Sequence, residues 1–329
     1  MTTLVADGPT ILPPAIFLIG PTASGKTGLA FSLCREFPCE IISVDSAQVF
    51  RDMNIGTAKP DDTTLANFPH RLIDLIAPTE RYSAARFCSD ALAAMKEISS
   101  AGRIPLLVGG TMLYVKALRE GLADLPAADA TVRAVIERDA KQRGWPALHA
   151  DLAKLDAATA ARLKPTDSQR IQRALEIIQI SGRPLSTLFA EQSARSLPYQ
   201  CLGLGLLPSQ RAELHQRIAA RFDAMLANGL VDEVIGLREK YQLHADLPSM
   251  RCVGYRQVWE MLEGISAKVD LRDRGIFATR QFAKRQLTWL KSLPDLEFID
   301  PLSAEFTAAA TSRVGQFLAQ NAAATNKAH

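Results

Sequence analysis

Over the first 120 positions, short runs of continuously apolar residues alternate with longer stretches in which apolar side chains recur at helical intervals. Residues 15–19, 41–44 and 104–108 form three such runs, and 71–76 reads as a further short strand. Runs this short and this apolar predict strands covered on both faces, as in a parallel sheet. Between them, 27–37 predicts a helix. So does 83–100, where Ser83 is placed to cap, Ala84, Phe87, Ala91 and Met95 share a face, and Gly102 ends the pattern. The alternation predicts an α/β fold with three layers.

The pattern then changes. Residues 121–130 have linker composition, and 131–189 are helical by periodicity with no convincing strand. The longest helix there starts at a Thr166/Asp167 cap, runs to Ile180 and stops at Ser181-Gly182-Arg183-Pro184. An apolar strand returns at 199–206, so the helical block is expected to be an insertion within the α/β core. Helices are predicted at 209–228, 230–241, 250–263, 272–290 and 304–318, with a short strand at 296–299. The expected domains are a first core part at 1–125, the helical insertion at 126–195, the rest of the core at 196–315, and a disordered tail at 316–329, above all 322–329.

Composition adds little, but charge distribution adds something. The 329 residues are 47% hydrophobic and 22% charged, ordinary for a globular protein. No Lys or Arg precedes Lys26, so a signal peptide's charged start is missing, and the run 15–19 is far short of a membrane span. Five scattered cysteines without a C-x-x-C pair fit reduced thiols, and the five histidines fall at no metal-ligand spacing. A cytoplasmic monomer is expected. Residues 1–130 hold 11 Lys/Arg and 14 Asp/Glu, whereas 131–329 hold 27 and 21. A basic C-terminal half suits either a polyanionic partner such as nucleic acid or a solvated helix face.

The chemistry begins at "GPTASGKT", which fits G-x-x-x-x-G-K-[ST] between a strand and a helix. Gly20, Pro21, Thr22, Ala23, Ser24 and Gly25 would wrap phosphate oxygens with backbone amides, Lys26 would add a point charge, and Thr27 would offer a hydroxyl to Mg²⁺. The fold is therefore expected to be of the P-loop type. An ATPase, a kinase, or an enzyme whose substrate merely carries a diphosphate would each use such a loop. Asp45 ends the second strand at the carboxyl edge of the sheet, where it can act as a base or cap the next turn. "IPLLVGGT" ends without the carboxylate that an ATP hydrolase needs for its Mg²⁺ shell, which leaves Asp45 free for an acceptor. Thr111, after two glycines, suits either a substrate contact or an N-cap. Arg170 with Arg173, and Arg217 with Arg221, are spaced to share helix faces, as anion clamps or as solvated charge. Arg280, Lys284 and Lys291 mark one side of the 272–290 helix.

Seven stretches in order, "GPTASGKT", "SVDSAQVF", "NIGTAKP", "HRLID", "GRIPLLVGGTMLY", "RCVGYRQVW" and "ATRQFAKRQLTWL", resemble the successive signatures of bacterial tRNA dimethylallyltransferases. They span roughly residues 16–290; Phe50 stands where relatives often carry tyrosine. The resemblance implies transfer of a dimethylallyl group from dimethylallyl diphosphate to N6 of the adenosine 3′ of the tRNA anticodon. It implies Mg²⁺ as cofactor and release of pyrophosphate. Asp45 would accept the N6 proton, Thr111 would stand by the reacting groups, and Arg221 would join the loop in holding the diphosphate. Asp45, Ser46, Ala47 and Gln48, with Arg251, Cys252, Val253, Gly254, Tyr255 and Arg256, would line the nucleotide's pocket. Arg133, Gln169, Arg170, Ile171, Gln172 and Arg173 would touch the RNA from the insertion. The competing readings are a small-molecule kinase that uses the loop on ATP, and an RNA-binding regulator with a vestigial loop.

Overall fold

Among the described residues, six strands make one sheet in the spatial order β3-β2-β4-β1-β5-β6, with every pair parallel. They are β1 Pro14–Ile19, β2 Cys39–Val44, β3 His70–Arg71, β4 Ile104–Gly109, β5 Gln200–Leu206 and β6 Glu297–Ile299. The computed structural model describes residues 12–121, 125–191 and 197–328. It divides into two units, one with Met1–Leu118 and Leu197–His329, the other with Arg119–Ser196.

In the first unit the sheet carries helices on both faces. The helices preceding the insertion are α1 Lys26–Glu36, α2 Asp62–Asn67, α3 Ala84–Ser100 and α4 Met112–Glu120. Alternation along β1 sorts its side chains: Phe17 and Ile19 pack with Phe87, Met95 and Val115 of α3 and α4. Ile16 and Leu18 pack on the opposite face with Leu29 and Leu33 of α1. Both faces of β1 are thus apolar because both are covered.

The second unit holds α5 Ala130–Arg143, α6 Trp145–Leu155, α7 Ala157–Ala161, α8 Ser168–Ser181 and α9 Leu185–Ala190. Ile136, Leu152, Ile171, Ala174 and Ile177 form its own core. Asp167 caps α8 by accepting from the Arg170 amide, and Gly182 ends it at φ 68°. Part of the expected linker, 122–124, lies outside the described residues.

Back in the first unit come α10 Arg211–Ala227, α11 Leu230–Lys240, α12 Tyr255–Leu262, α13 Leu271–Leu290 and α14 Phe306–Ala328. Three sequence expectations need correction. The strand expected at 71–76 pairs only at His70–Arg71, because Leu72 and Asp74 take positive φ and turn the chain; Ile76 makes a lone bridge to Phe50. The helix expected from 250 starts at Tyr255, after a turn that ends at Gly254 with φ 93°. The disordered tail expected from 316 is the second half of α14, whose Ala310, Val314 and Phe317 are buried in the core that contains α1. The alanine-rich sequence supplies helix propensity and the three- and four-residue spacing supplies a packing face.

Candidate active site

Strand order assembles the site. Because β4 lies between β1 and β2, the segments leaving their carboxyl ends meet: the phosphate loop after β1, Asp45 after β2, and Gly109-Gly110-Thr111 at β4. The Gly20 amide donates to the Gly109 carbonyl at 3.2 Å, and the Gly110 and Thr111 amides both donate to the Val44 carbonyl at 3.2 Å. A Cβ on Gly109 would fall 2.1 Å from the Val44 oxygen, so only glycine permits this approach.

In the loop, Ala23 (φ 62°) and Gly25 (φ 88°) turn the chain into α1, whose first turn carries no acidic residue to neutralise its amides. Lys26 donates to the Pro21 carbonyl at 2.6 Å. Burial and the neighbouring Arg221 guanidinium push its ammonium down to about 7, against an opposing pull from Asp45. Burial also lowers Arg221, again opposed by Asp45. Two cations facing one carboxylate leave surplus positive charge in a cavity of about 100 Å³ lined by Thr22, Lys26, Thr27, Asp45 and Arg221. A phosphate dianion or diphosphate supplies what is lacking. Arg221 is therefore part of the wall of this cavity, not a solvated charge.

A second cavity, of about 360 Å³, shares Thr22, Asp45, Thr57, Arg221 and Phe282 with the first. Its apolar lining includes Ile218, Phe222, Met225 and Val253; Arg251 and Arg285 are also on it. The Asp45 carboxylate uses Oδ1 to accept the amides of Ala47 at 2.8 Å and Gln48 at 3.4 Å. It thus caps its turn and lines both cavities at once. The Ser46 amide donates to the Thr111 hydroxyl at 3.0 Å, and that hydroxyl in turn donates to Ser46 Oγ at 3.3 Å. Gln48 accepts from Ser43 at 2.9 Å, and its amide reaches the Thr57 carbonyl at 3.5 Å.

The 251–256 stretch divides. Arg251, Cys252 and Val253 line the larger cavity, and burial pushes the Cys252 thiol up to about 12. Arg256 is exposed. Tyr255 is fully buried and its hydroxyl donates to Glu233 at 2.5 Å, so it supports the site from behind and cannot touch a nucleotide directly. The same Glu233 accepts the amides of Asn54, Ile55 and Gly56, which fixes the "NIGT" loop.

In the insertion, Ile171 is buried in the unit's core and is unavailable to RNA. Arg133 and Arg173 both bind the fully buried Glu176, at 2.9 and 2.7 Å. Burial raises the Glu176 carboxyl, but hydrogen bonds from these arginines and the Asp129 amide more than reverse that and hold it low. Arg170, paired with Asp167, is exposed, as is Gln169, and Gln172 donates to Glu137 at 2.9 Å. Arg173→Ala should therefore destabilise the insertion by about 1–3 kcal/mol, read by chemical denaturation, because Glu176 loses one of its charged partners. Arg170→Ala should leave stability unchanged.

Sequence patterns did not point to Thr57, Phe282, Arg285 or Gln286 as site residues. Gln286 did leave a signal, a polar residue on the buried side of a helix between Ala283 and Leu290.

The profile described as IPP transferase matches residues 48–293, and the one described as isopentenyl transferase matches 14–74. The tRNA dimethylallyltransferase of Dechloromonas aromatica is 62% identical over 306 residues, 92% of this chain and 98% of the relative. That of Thiobacillus denitrificans is 59% identical over 93% of this chain and 98% of its own length. The crystal structure of the tRNA isopentenylpyrophosphate transferase of Bacillus halodurans covers 96% of this chain and 98% of its own, with TM-score 0.67 and 33% identity. A eukaryotic dimethylallyltransferase acting on tRNA gives TM-score 0.80 at 28% identity, over 94% of this chain and 80% of its own. With three quarters of its length matched by that profile and relatives this close along nearly all of it, the chain belongs to the IPP transferase family.

Proposed function

We propose that this enzyme transfers the dimethylallyl group of dimethylallyl diphosphate to N6 of the adenosine 3′ of the anticodon in tRNA. The observation that carries the reading is the adjacent pair of cavities: one lined by Lys26 and Arg221, the other larger and partly apolar, with Asp45 on the wall of both. Diphosphate suits the first, and a five-carbon chain beside a flipped adenine suits the second. N6 attacks the allylic C1, the C1–O bond breaks, and diphosphate leaves with its electron pair. Lys26, Arg221 and the loop amides take up the charge that develops on it, and Asp45 takes the N6 proton. Thr111, which holds Ser46 beside Asp45, keeps the base-bearing turn in place.

The residues present fit Mg²⁺: the Thr27 hydroxyl opens the helix beside Lys26 and lines the anion cavity, and a hard cation needs few protein ligands when diphosphate oxygens and water complete its shell. Bound there, the ion would neutralise charge on the leaving group. The absence of a carboxylate after β4 weighs against a kinase working on ATP. No helix among the described residues is long and apolar enough to cross a membrane.

Labelled donor, Mg²⁺ and bulk tRNA should give labelled RNA and free pyrophosphate. Labelled phosphate appearing on a small acceptor from ATP would favour the kinase instead. Donor binding should also depend on pH. Diphosphate needs the charged form of Lys26, which titrates near 7 in the free protein. Above that value affinity should fall by up to about tenfold per unit, whereas toward about pH 6 protonation of the diphosphate itself also weakens binding. Calorimetry in buffers of different ionisation enthalpy should record proton uptake above about pH 7.

For RNA, Arg170→Ala should lower the salt slope of anticodon stem-loop binding by up to about one unit, as expected when one phosphate is no longer neutralised. An unchanged slope would return Arg170 to the solvated face.

A further inference from the structure

We infer that Gln286 is a positioning residue that locks the phosphate loop to the β4 turn, and so holds the donor's leaving group in register with the base. Gln286 is 6% exposed, in the C-terminal third of the 20-residue α13, and both ends of its amide are engaged. The Thr22 amide donates to Gln286 Oε1 at 2.9 Å, and Gln286 Nε2 donates to the Gly110 carbonyl at 2.9 Å. The fit is close enough that a Cβ on Gly110 would lie 2.4 Å from Nε2. From Gly110 the linkage continues: the Gly110 and Thr111 amides grip the carbonyl of Val44, and the Thr111 hydroxyl holds the amide of Ser46. Val44 and Ser46 flank Asp45. One amide side chain therefore joins the loop that holds diphosphate to the turn that carries the base.

Only a group that accepts and donates at once can make both bonds in this space. Met matches the length and does neither. Glu accepts but, when ionised, sets a charge against the Gly110 carbonyl; when protonated it reproduces the amide's acceptor and donor. Burial and the Asp45 carboxylate on the same cavity raise a carboxyl there, while the Lys26 and Arg221 cations lower it, so the protonated form is gained only as the solution is acidified.

The transfer arm of the test rests on the proposed prenyl transfer, whereas the binding arm needs only inorganic pyrophosphate with Mg²⁺. Gln286→Met should bind pyrophosphate at least about tenfold more weakly and, with both substrates saturating, transfer about 10- to 100-fold more slowly in a single turnover, a loss on the scale of a misplaced reacting group. Anticodon stem-loop affinity should stay within about twofold of wild type. Gln286→Glu should be as impaired at about pH 8, and its deficit relative to wild type at the same pH should shrink as the solution is brought to about pH 5.5. A bystander in the core would not lose pyrophosphate selectively in Gln286→Met, where no charge is introduced beside the anion cavity. Pyrophosphate affinity at the wild-type level in Gln286→Met, or a deficit in Gln286→Glu that does not change with pH, would overturn the inference. Should Gln286→Met not fold, Gln286→Asn, neutral and one methylene too short to span both partners, takes its place in the pyrophosphate titration, and wild-type affinity there would overturn the inference. A wild type that binds pyrophosphate but labels no RNA would sink the proposed reaction and leave the binding arm to decide this inference.

Discussion

With donor and tRNA both saturating, Asp45→Asn should slow single-turnover transfer by about 10² to 10⁴, the usual worth of a placed general base. The substitution is close to isosteric. Asparagine can still offer one oxygen to the Ala47 and Gln48 amides, so the turn that Asp45 caps should survive. What it cannot do is take a proton. The adenine amino group attacks poorly because its lone pair is delocalised into the ring, and it becomes strongly acidic as the new bond forms. Allylic carbon, by contrast, ionises readily, so part of the barrier is met by loss of diphosphate before any proton moves. That places the expected effect toward the lower end of the range. The dissociation constant for RNA should shift by no more than about threefold, since the proton transfer removed belongs to the transition state, whereas donor binding also feels the loss of a carboxylate from the anion cavity. A rate within threefold of wild type would reduce Asp45 to an orienting group and assign the proton to water or to the departing diphosphate.

Lys26→Ala should weaken binding of donor, or of pyrophosphate, by about 10² to 10³, while anticodon stem-loop affinity stays near wild type. Losing one charged partner in a buried ionic site is typically worth about 3–5 kcal/mol. Some of that is returned here, because Arg221 no longer faces a like charge across the cavity. Calorimetric titration with pyrophosphate and a separate stem-loop titration check both halves. If RNA binding collapses while pyrophosphate still binds, the loop has been given the wrong substrate.

Much of this site is legible in the chain itself, for reasons that differ by residue. The phosphate loop and the Asp167 cap announce themselves because their chemistry is local: a few residues fix the backbone and the neighbours are contiguous. Asp45 is legible by place, at the end of a strand, and its two readings turn out compatible, since one oxygen caps and the carboxylate still lines the cavities. Arg221 was ambiguous because spacing cannot tell a helix's buried flank from its wet one; only the packing of α10 settles that. Tyr255 and Ile171 mislead in the opposite sense. Each sits inside a stretch whose neighbours reach the surface: Ile171 falls on the buried side of α8, and Tyr255 turns inward where α12 begins. Gln286 is the least legible, because its partners lie 264 and 176 positions away.

The interruption of the chain by the Arg119–Ser196 unit bears on how the protein is made. Strand β1, which delivers the phosphate loop, is paired on one side by β4 and on the other by β5. On a ribosome adding about 5–20 residues per second, the roughly 187 residues from Ile19 to Leu206 take on the order of 10–40 s. Throughout that interval one long edge of β1, among the most apolar segments in the chain, has no mate. A nascent chain with such an open edge invites strand addition by another chain, while the helices of the insertion, with their own core, can condense as they emerge. Slowing synthesis between β4 and β5 should therefore lower the soluble yield more than an equal delay after β5.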